Sequence, residues 1–370
     1  MANYQTGTAT DVHNMLTILS TFVAANGWTV DQDAVQGAGR KLLIHNGESY
    51  FQFRSGTTET LSTLDVPIRS SNTVETGIWI NGSSGFNSGQ TWNRQPGRNG
   101  RYSDGQPIPG WLDTNGNVGS FTYYLFALTT TCPEVWMVVR YQTGPDRYQF
   151  IGFGELQQIG DWGFTRGIPF FTFSRNSVTN TVAPTDSTQG STGPFGSYGD
   201  ASAEYATTMV RYKSASIIGD TTLTGVPDDL SGQSYWASTT NHTLTNDFHS
   251  YTGRQVHGMA TQHAEDLCRA TPSTFNLADV LIPFYMSRIR VPVTLDGQTS
   301  VPQNWNYSYM GVPLHSRYCD MTNLLPADIL TIGSDTWMVF PNHFIGQTMH
   351  HTWKTTDGQN ANAGFAIRKV

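Results

Sequence analysis

Charge is scarce in this chain of 370 residues: Asp, Glu, Lys and Arg make up 13% of it, barely more than the 12% that is Phe, Trp and Tyr. A surface with so few charges has to be built from Thr, Ser, Asn, Gln and Gly, a bias that favours β-rich, loop-rich folds. The 21 Lys and Arg are outnumbered by 28 Asp and Glu, and no long basic run is present. Duplex binding needs a cationic stripe to displace counterions from phosphates, so nucleic acid is not expected as the primary partner. The longest apolar runs, such as 135–139 and 280–286, fall far short of the roughly 20 residues a spanning helix needs, and no membrane insertion is expected. Met1-Ala2-Asn3-Tyr4-Gln5 lacks a basic region followed by an apolar block, which places synthesis and assembly in a cytoplasm. Cysteine is rare too. Cys132, Cys268 and Cys319 are far apart and odd in number, which excludes a complete disulfide framework and predicts reduced, partly buried thiols.

What is abundant is aromatic and glycine-rich strand. Val135-Trp136-Met137-Val138-Val139 and Tyr148-Gln149-Phe150-Ile151-Gly152-Phe153-Gly154-Glu155-Leu156 read as a hairpin across Gly144-Pro145-Asp146. Such strands suit a sheet whose faces pack closely on other protein. Upstream, Thr8 reads as a helix cap with Asp11 completing a capping-box pattern, and Val12, Met15, Leu16, Leu19, Phe22 and Val23 recur at helical spacing until Asn26-Gly27. Asn46-Gly47 then joins the strand-like runs 41–45 and 49–53, a strong hairpin signal.

Four regions follow from these patterns. Residues 1–55 form a small α+β docking unit, helix plus hairpin, with the β-rich remainder expected to fold without it. Residues 56–175 form a β-sandwich or jelly-roll-like core with long loops, including a glycine- and proline-rich run at 81–118. Residues 176–275 are a polar, loop-rich insertion, with 176–201 as a flexible excursion, and 276–370 resume strands to a last one at Gly364-Phe365-Ala366-Ile367. The fold class is therefore mainly β.

Candidate chemistry is thin. His257 and His263, and His343, His350 and His351, lack the spacings of a zinc site and read as solvated or interface histidines, so no metal or cofactor is implied. Cys268 sits five residues from His263, which does not face the two together on a helix, and reads as a packing residue. Glu134, Glu155 and Asp161 could supply paired carboxylates only if they converge in space, and Glu155 reads more simply as a polar residue at a sheet rim. No catalytic residue is assigned. Trp79, Trp92, Trp111, Trp305 and Tyr307, in or beside loops, read as anchors or interface rings ahead of sugar-stacking platforms, and the interface candidates are Trp28, Trp79, Trp92, Trp111, Phe150, Phe153, Trp305 and Trp337.

Three segments together resemble virion structural proteins of tailed bacteriophages. The first is Gly7-Thr8-Ala9-Thr10, the apolar helix and Asn26-Gly27-Trp28-Thr29-Val30. The second runs from Tyr123-Tyr124-Leu125-Phe126 through 135–139 to 149–156. The third is Ile332-Gly333-Ser334-Asp335-Thr336-Trp337-Met338-Val339-Phe340-Pro341 followed by Gly364-Phe365-Ala366-Ile367. The resemblance covers about half the chain, with nothing matched in 176–275. It implies a non-enzymatic component of the tail, neck collar or baseplate, located in the virion and assembled in the host bacterial cytoplasm. Its implied partners are copies of itself, as a homo-oligomer, and other virion proteins. Two alternatives from other classes stand beside it: a receptor- or glycan-binding adhesin using the tryptophan loops, and a polysaccharide-degrading enzyme.

Overall fold

The computed structural model describes residues 2–37, 39–56, 76–98, 108–113, 119–129, 131–141, 147–173, 208–213, 234–239, 256–258, 281, 286–290, 306–321, 324–341 and 363–369. The expected turn at 144–146 and the excursion at 176–201 lie outside them. The described chain is mostly antiparallel β, with one helix.

That helix, α1 (Val12–Ala25), is capped by Asp11, whose Oδ1 accepts the Asn14 N–H at 2.7 Å. Asn14 reaches back through Oδ1 to the Thr10 N–H at 3.1 Å. The cap is thus Asp11 and not Thr8, which pairs with Thr122 in strand β1 (Ala2–Ala9). A carboxylate next to the first apolar position both accepts an orphan N–H and opposes the positive helix end. At the other end Gly27 takes φ 82, as a C′ glycine should. All six apolar positions expected on one helix face are buried.

Three sheets form the body. A five-stranded meander runs β2 (Thr29–Gln36), β3 (Gly39–Asn46), β4 (Ser49–Gly56), β5 (Thr76–Ser83) and β6 (Ile108–Asp113). The β3–β4 hairpin closes on the pair Asn46 and Ser49, so its turn residues are Gly47 and Glu48, with Gly47 at φ 61 in the first central position. The central, ten-stranded sheet places β1 beside β7 (Phe121–Leu128), then β8 (Glu134–Tyr141), β9 (Arg147–Gln158), β10 (Gly167–Phe173), β11 (Thr208–Lys213) and β12 (Ser234–Thr239). Past Gly154, which faces Glu134 at the start of β8, β9 pairs instead with β15 (Asn306–Val312), which continues through β14 (Met286–Arg290) to β13 (Val256–Gly258). β12 lies beside β13, so the two branches curl toward each other in a nearly closed ring of strands. The third sheet has the order β16 (Ser316–Asp320), β19 (Ala363–Arg368), β18 (Asp335–Pro341) and β17 (Ile329–Ile332).

Strand alternation divides the core between the two faces of the central sheet. Tyr123, Leu125, Val135, Met137, Ile151 and Phe153 face α1 and the five-stranded sheet, meeting Leu16, Trp28, Phe51, Phe53 and Ile80. Phe126, Trp136, Val138 and Phe150 face the opposite way, onto Met338, Phe340, Phe365 and Ile367 of the four-stranded sheet. The result is a three-layer sandwich.

The helix-plus-hairpin unit is present, and these pairings join it to the rest of the chain. β1 is laddered to β7 along its whole length, β4 to β5, and α1 is buried in a core that includes β7, β8 and β9. Within 176–275, the described residues are the strands β11, β12 and β13 of the central sheet. Removing residues 1–55 is therefore expected to strip one face of the central sheet. The truncated chain should lose its near-ultraviolet circular dichroism and cooperative melting; a native-like melt would show the unit to be separable after all.

Candidate functional site

The most constrained chemistry lies where β8 and β9 cross between the two flanking layers. Gly152 sits opposite Trp136, and a Cβ there would come within 2.4 Å of the indole ring. The ring covers the bare backbone and reaches Phe365 at a centroid distance of 4.8 Å. Two residues on, Gly154 adopts φ 145 opposite Glu134; its Cβ would stand 2.2 Å from the Pro133 carbonyl, which accepts the Glu155 N–H at 2.9 Å. Only glycine fits this backbone, and it sets the direction of the next side chain.

Glu155 points into the layer between the central and five-stranded sheets and is 1% exposed. Its Oε1 accepts the Ser49 hydroxyl at 2.8 Å and Arg166 Nη2 at 2.5 Å, while Oε2 accepts Arg166 Nε at 2.6 Å. The same guanidinium donates to Asn46 Oδ1 at 2.7 Å and the Asn46 carbonyl at 3.1 Å. One fork thus ties the β9–β10 hairpin to the β3–β4 hairpin. The hydrogen bond to Glu155 raises the Arg166 pKa, partly opposed by burial. Glu155 is therefore not the sheet-rim residue expected from sequence. It is a buried ion-pair partner.

Glu134 points the other way and is fully buried. Its Oε1 accepts the backbone N–H groups of Leu314 at 2.5 Å and His315 at 3.1 Å, and Oε2 accepts Trp136 Nε1 at 3.2 Å. Leu314 and His315 lead directly into β16, so this carboxylate holds the four-stranded sheet. Burial pushes its pKa up to about 7, against the lowering effect of those three hydrogen bonds and of the Arg317 charge. Burial and the charges of Arg368 and Arg317 lower His315 to about 3, so its ring stays neutral. Cys132 is raised to about 11 by burial and by Glu155 and Glu134, which keeps its thiol protonated and weakly nucleophilic.

Glu134 and Glu155 leave opposite faces of one sheet, so these two carboxylates cannot flank a glycosidic bond. Asp161 is exposed and accepts the Gly163 N–H at 2.8 Å. Among the expected interface rings, Trp28, Trp79, Trp92, Phe150, Phe153 and Trp337 are buried within the chain itself. Their faces are covered by the chain's own residues, for example Trp28 by Phe51 and Phe153. Trp111 is placed only by its backbone, opposite Ile78 in β6, and Trp305 lies outside the described residues. His263, His343, His350, His351 and Cys268 lie outside them also, and His257 is placed by its backbone on β13. Among the described residues no group of three metal-ligating side chains is present, and no helix is long and apolar enough to cross a membrane.

Arg166 and Ser49 had no place in the sequence reading. The available signal was an acid and a base, eleven residues apart, in the two arms of one aromatic hairpin of a charge-poor chain. The chain matches no protein-family model, and no curated protein matches it.

Replacing Arg166 with Met should leave a buried carboxylate uncompensated and cost about 3–5 kcal/mol, whereas Glu155→Met with Arg166→Met should recover much of the loss. Denaturant melts of both variants decide this; equal losses would deny the pair its role. Glu134 gives a pH prediction. Its folded pKa of about 7 lies above the ordinary value of 4.5, so the folded state holds the proton more tightly. Stability from this group is present below pH 4.5 and is lost as pH rises through 7, by up to about 3 kcal/mol. Glu134→Gln should flatten that slope, and chemical melts from pH 5 to 8 would expose an unchanged one.

Proposed function

We propose that this chain is a non-enzymatic structural component of a tailed bacteriophage virion, present in many copies in the tail, neck collar or baseplate. One observation carries the reading beyond the resemblance itself. The three segments that resemble phage structural proteins draw on all three layers of the same sandwich: β1, α1 and β2, of which β1 is a strand of the central sheet; β7, β8 and β9 in that sheet; and β17, β18 and β19 in the four-stranded sheet. The second of them holds Glu155 and adjoins Glu134, whose bonds reach Ser49 of the five-stranded sheet and the backbone entering β16, so the resemblance follows packed layers and not scattered surface strands.

The partners in this reading are copies of the chain and other virion proteins, in a particle assembled in the host bacterial cytoplasm. A formal charge of -7 supports protein over nucleic acid as the principal contact. The glycan-binding alternative loses support because Trp79 and Trp92, two of its stacking rings, are buried.

Size exclusion with light scattering, followed by negative-stain imaging of the same fractions, tests the multi-copy reading. Rings or other defined high-order assemblies are expected. A monomer at every concentration, unchanged by an extract of infected host cells, would remove the basis for it.

A further inference from the structure

Among the described residues, the exposed large apolar side chains are Val35, Ile159, Leu325, Ile329 and Ile332. Three of them fall in the short stretch that ends in β17. Leu325, 69% exposed, stands at the tip of a tight turn that holds it out. Its N–H donates to Asp328 Oδ2 at 2.7 Å, the Asp328 N–H to the Leu325 carbonyl at 3.1 Å, and the Ala327 N–H to the Val339 carbonyl at 2.7 Å. Ala327 takes φ 68, the one positive φ at a non-glycine among the described residues. Leu325 is thus a fixed apolar projection beside a strand edge.

Among the described residues the edge itself is open. Among the described residues β17 pairs only with β18. Thr331 is the register partner of Thr336, and the Thr336 carbonyl turns away to accept the Lys369 N–H at 2.7 Å. That pair is therefore the non-hydrogen-bonded kind, and the N–H and C=O groups of Thr331 and Ile329 face outward. β17 carries no Lys, Pro or bulge, the usual guards against edge pairing.

We infer that two copies of this chain join through β17, pairing antiparallel about a two-fold axis at Thr331 and merging their four-stranded sheets into one. This rests on the multi-copy reading above and names its contact. The occupant follows from self-complementarity. A two-fold axis normal to the sheet keeps each side chain on its own face, so the register must centre on a residue. Centred on Thr331, it sets Leu330 of each copy against Ile332 of the other and Thr331 against its own counterpart, both favourable cross-strand pairs. Charge also agrees. β17 itself is uncharged, Asp335 is bonded to Arg368 Nη2 at 2.5 Å, and Asp328 of each copy comes opposite the exposed Ser334 of the other, a hydroxyl donor and not a second carboxylate.

The full chain carrying Thr331→Cys, treated with a mild oxidant, tests the register. A disulfide-linked dimer joined at position 331, identified by peptide mass spectrometry and missing from the parent chain, is expected. Ile332→Lys, at an exposed position, should leave the melting profile unchanged and raise the concentration for half-dissociation by roughly tenfold or more. Defined assemblies that neither crosslink at 331 nor respond to Ile332→Lys would overturn the β17 contact while leaving the multi-copy reading intact. Crosslinking at equal yield in the Ile332→Lys background, or only to a different protein, would also overturn it.

Discussion

A carboxylate taken out of water has to be met by donors, and in this molecule the donors come from a different layer each time. Glu155 is met by Ser49 of the five-stranded sheet and by Arg166, which also holds the turn at Asn46. Glu134 is met by the backbone entering the four-stranded sheet. Apolar burial drives the layers together but has no direction, so it tolerates sliding. The carboxylates resist it: a shift of the four-stranded sheet would take the Leu314 and His315 N–H groups from Glu134, and a shift of the five-stranded sheet would take Ser49 from Glu155 and Asn46 from Arg166. Such a pair adds little to net stability compared with a well-packed apolar substitute. Its effect is to select one stacking of three sheets among many of similar apolar content.

The placement of both acids depends on glycine in a strand that would otherwise be a run of aromatics. Gly152 admits Trp136, which brings Nε1 to Glu134, and Gly154 lets the β8–β9 ladder crowd the Pro133 carbonyl. Crowding continues around the same point. A Cβ at Gly167 would lie 2.8 Å from the Glu155 Cβ, and one at Gly311 would lie 2.6 Å from the Gln157 carbonyl. β9 is thus approached by β8, β10 and β15 within a few residues, and the residues that allow this have no side chains. The aromatic-glycine alternation is a packing code between layers of one chain.

What could be read from sequence was what depends on local pattern. The helix face, the strands at 135–139 and 148–156 and the hairpin at Asn46-Gly47 all rest on periodicity or on residues with special backbone freedom. The helix cap was misplaced by three residues because Thr8 and Asp11 are both competent caps, and only the ladder to β7 takes Thr8 out of contention. The site was illegible for a different reason. Whether Trp79, Trp92 and Trp337 serve a partner or the core is decided by which segments come to lie over them, and single-chain pattern carries no information on that. Glu155 was mistaken for a rim residue because its compensation comes from Ser49, separated from it by 106 positions, and from an arginine across a hairpin.

Among the described residues, several charges are used within the chain. Arg40 pairs with Asp33, Arg166 with Glu155, Arg368 with Asp335, and Arg211 is buried with a bond to the Glu48 carbonyl. The exposed part of β1, by contrast, presents Asn3, Gln5, Thr6 and Thr8. Groups of that kind can be covered by another protein surface at the cost of exchanging hydrogen bonds, without stripping water from an ion. For a protein held permanently against its neighbours, as proposed, ionic side chains would be most costly at the contacts and most useful inside, where they fix one arrangement of layers. The described residues have that form, and on the proposed reading low charge content would follow from assembly as much as from the β fold.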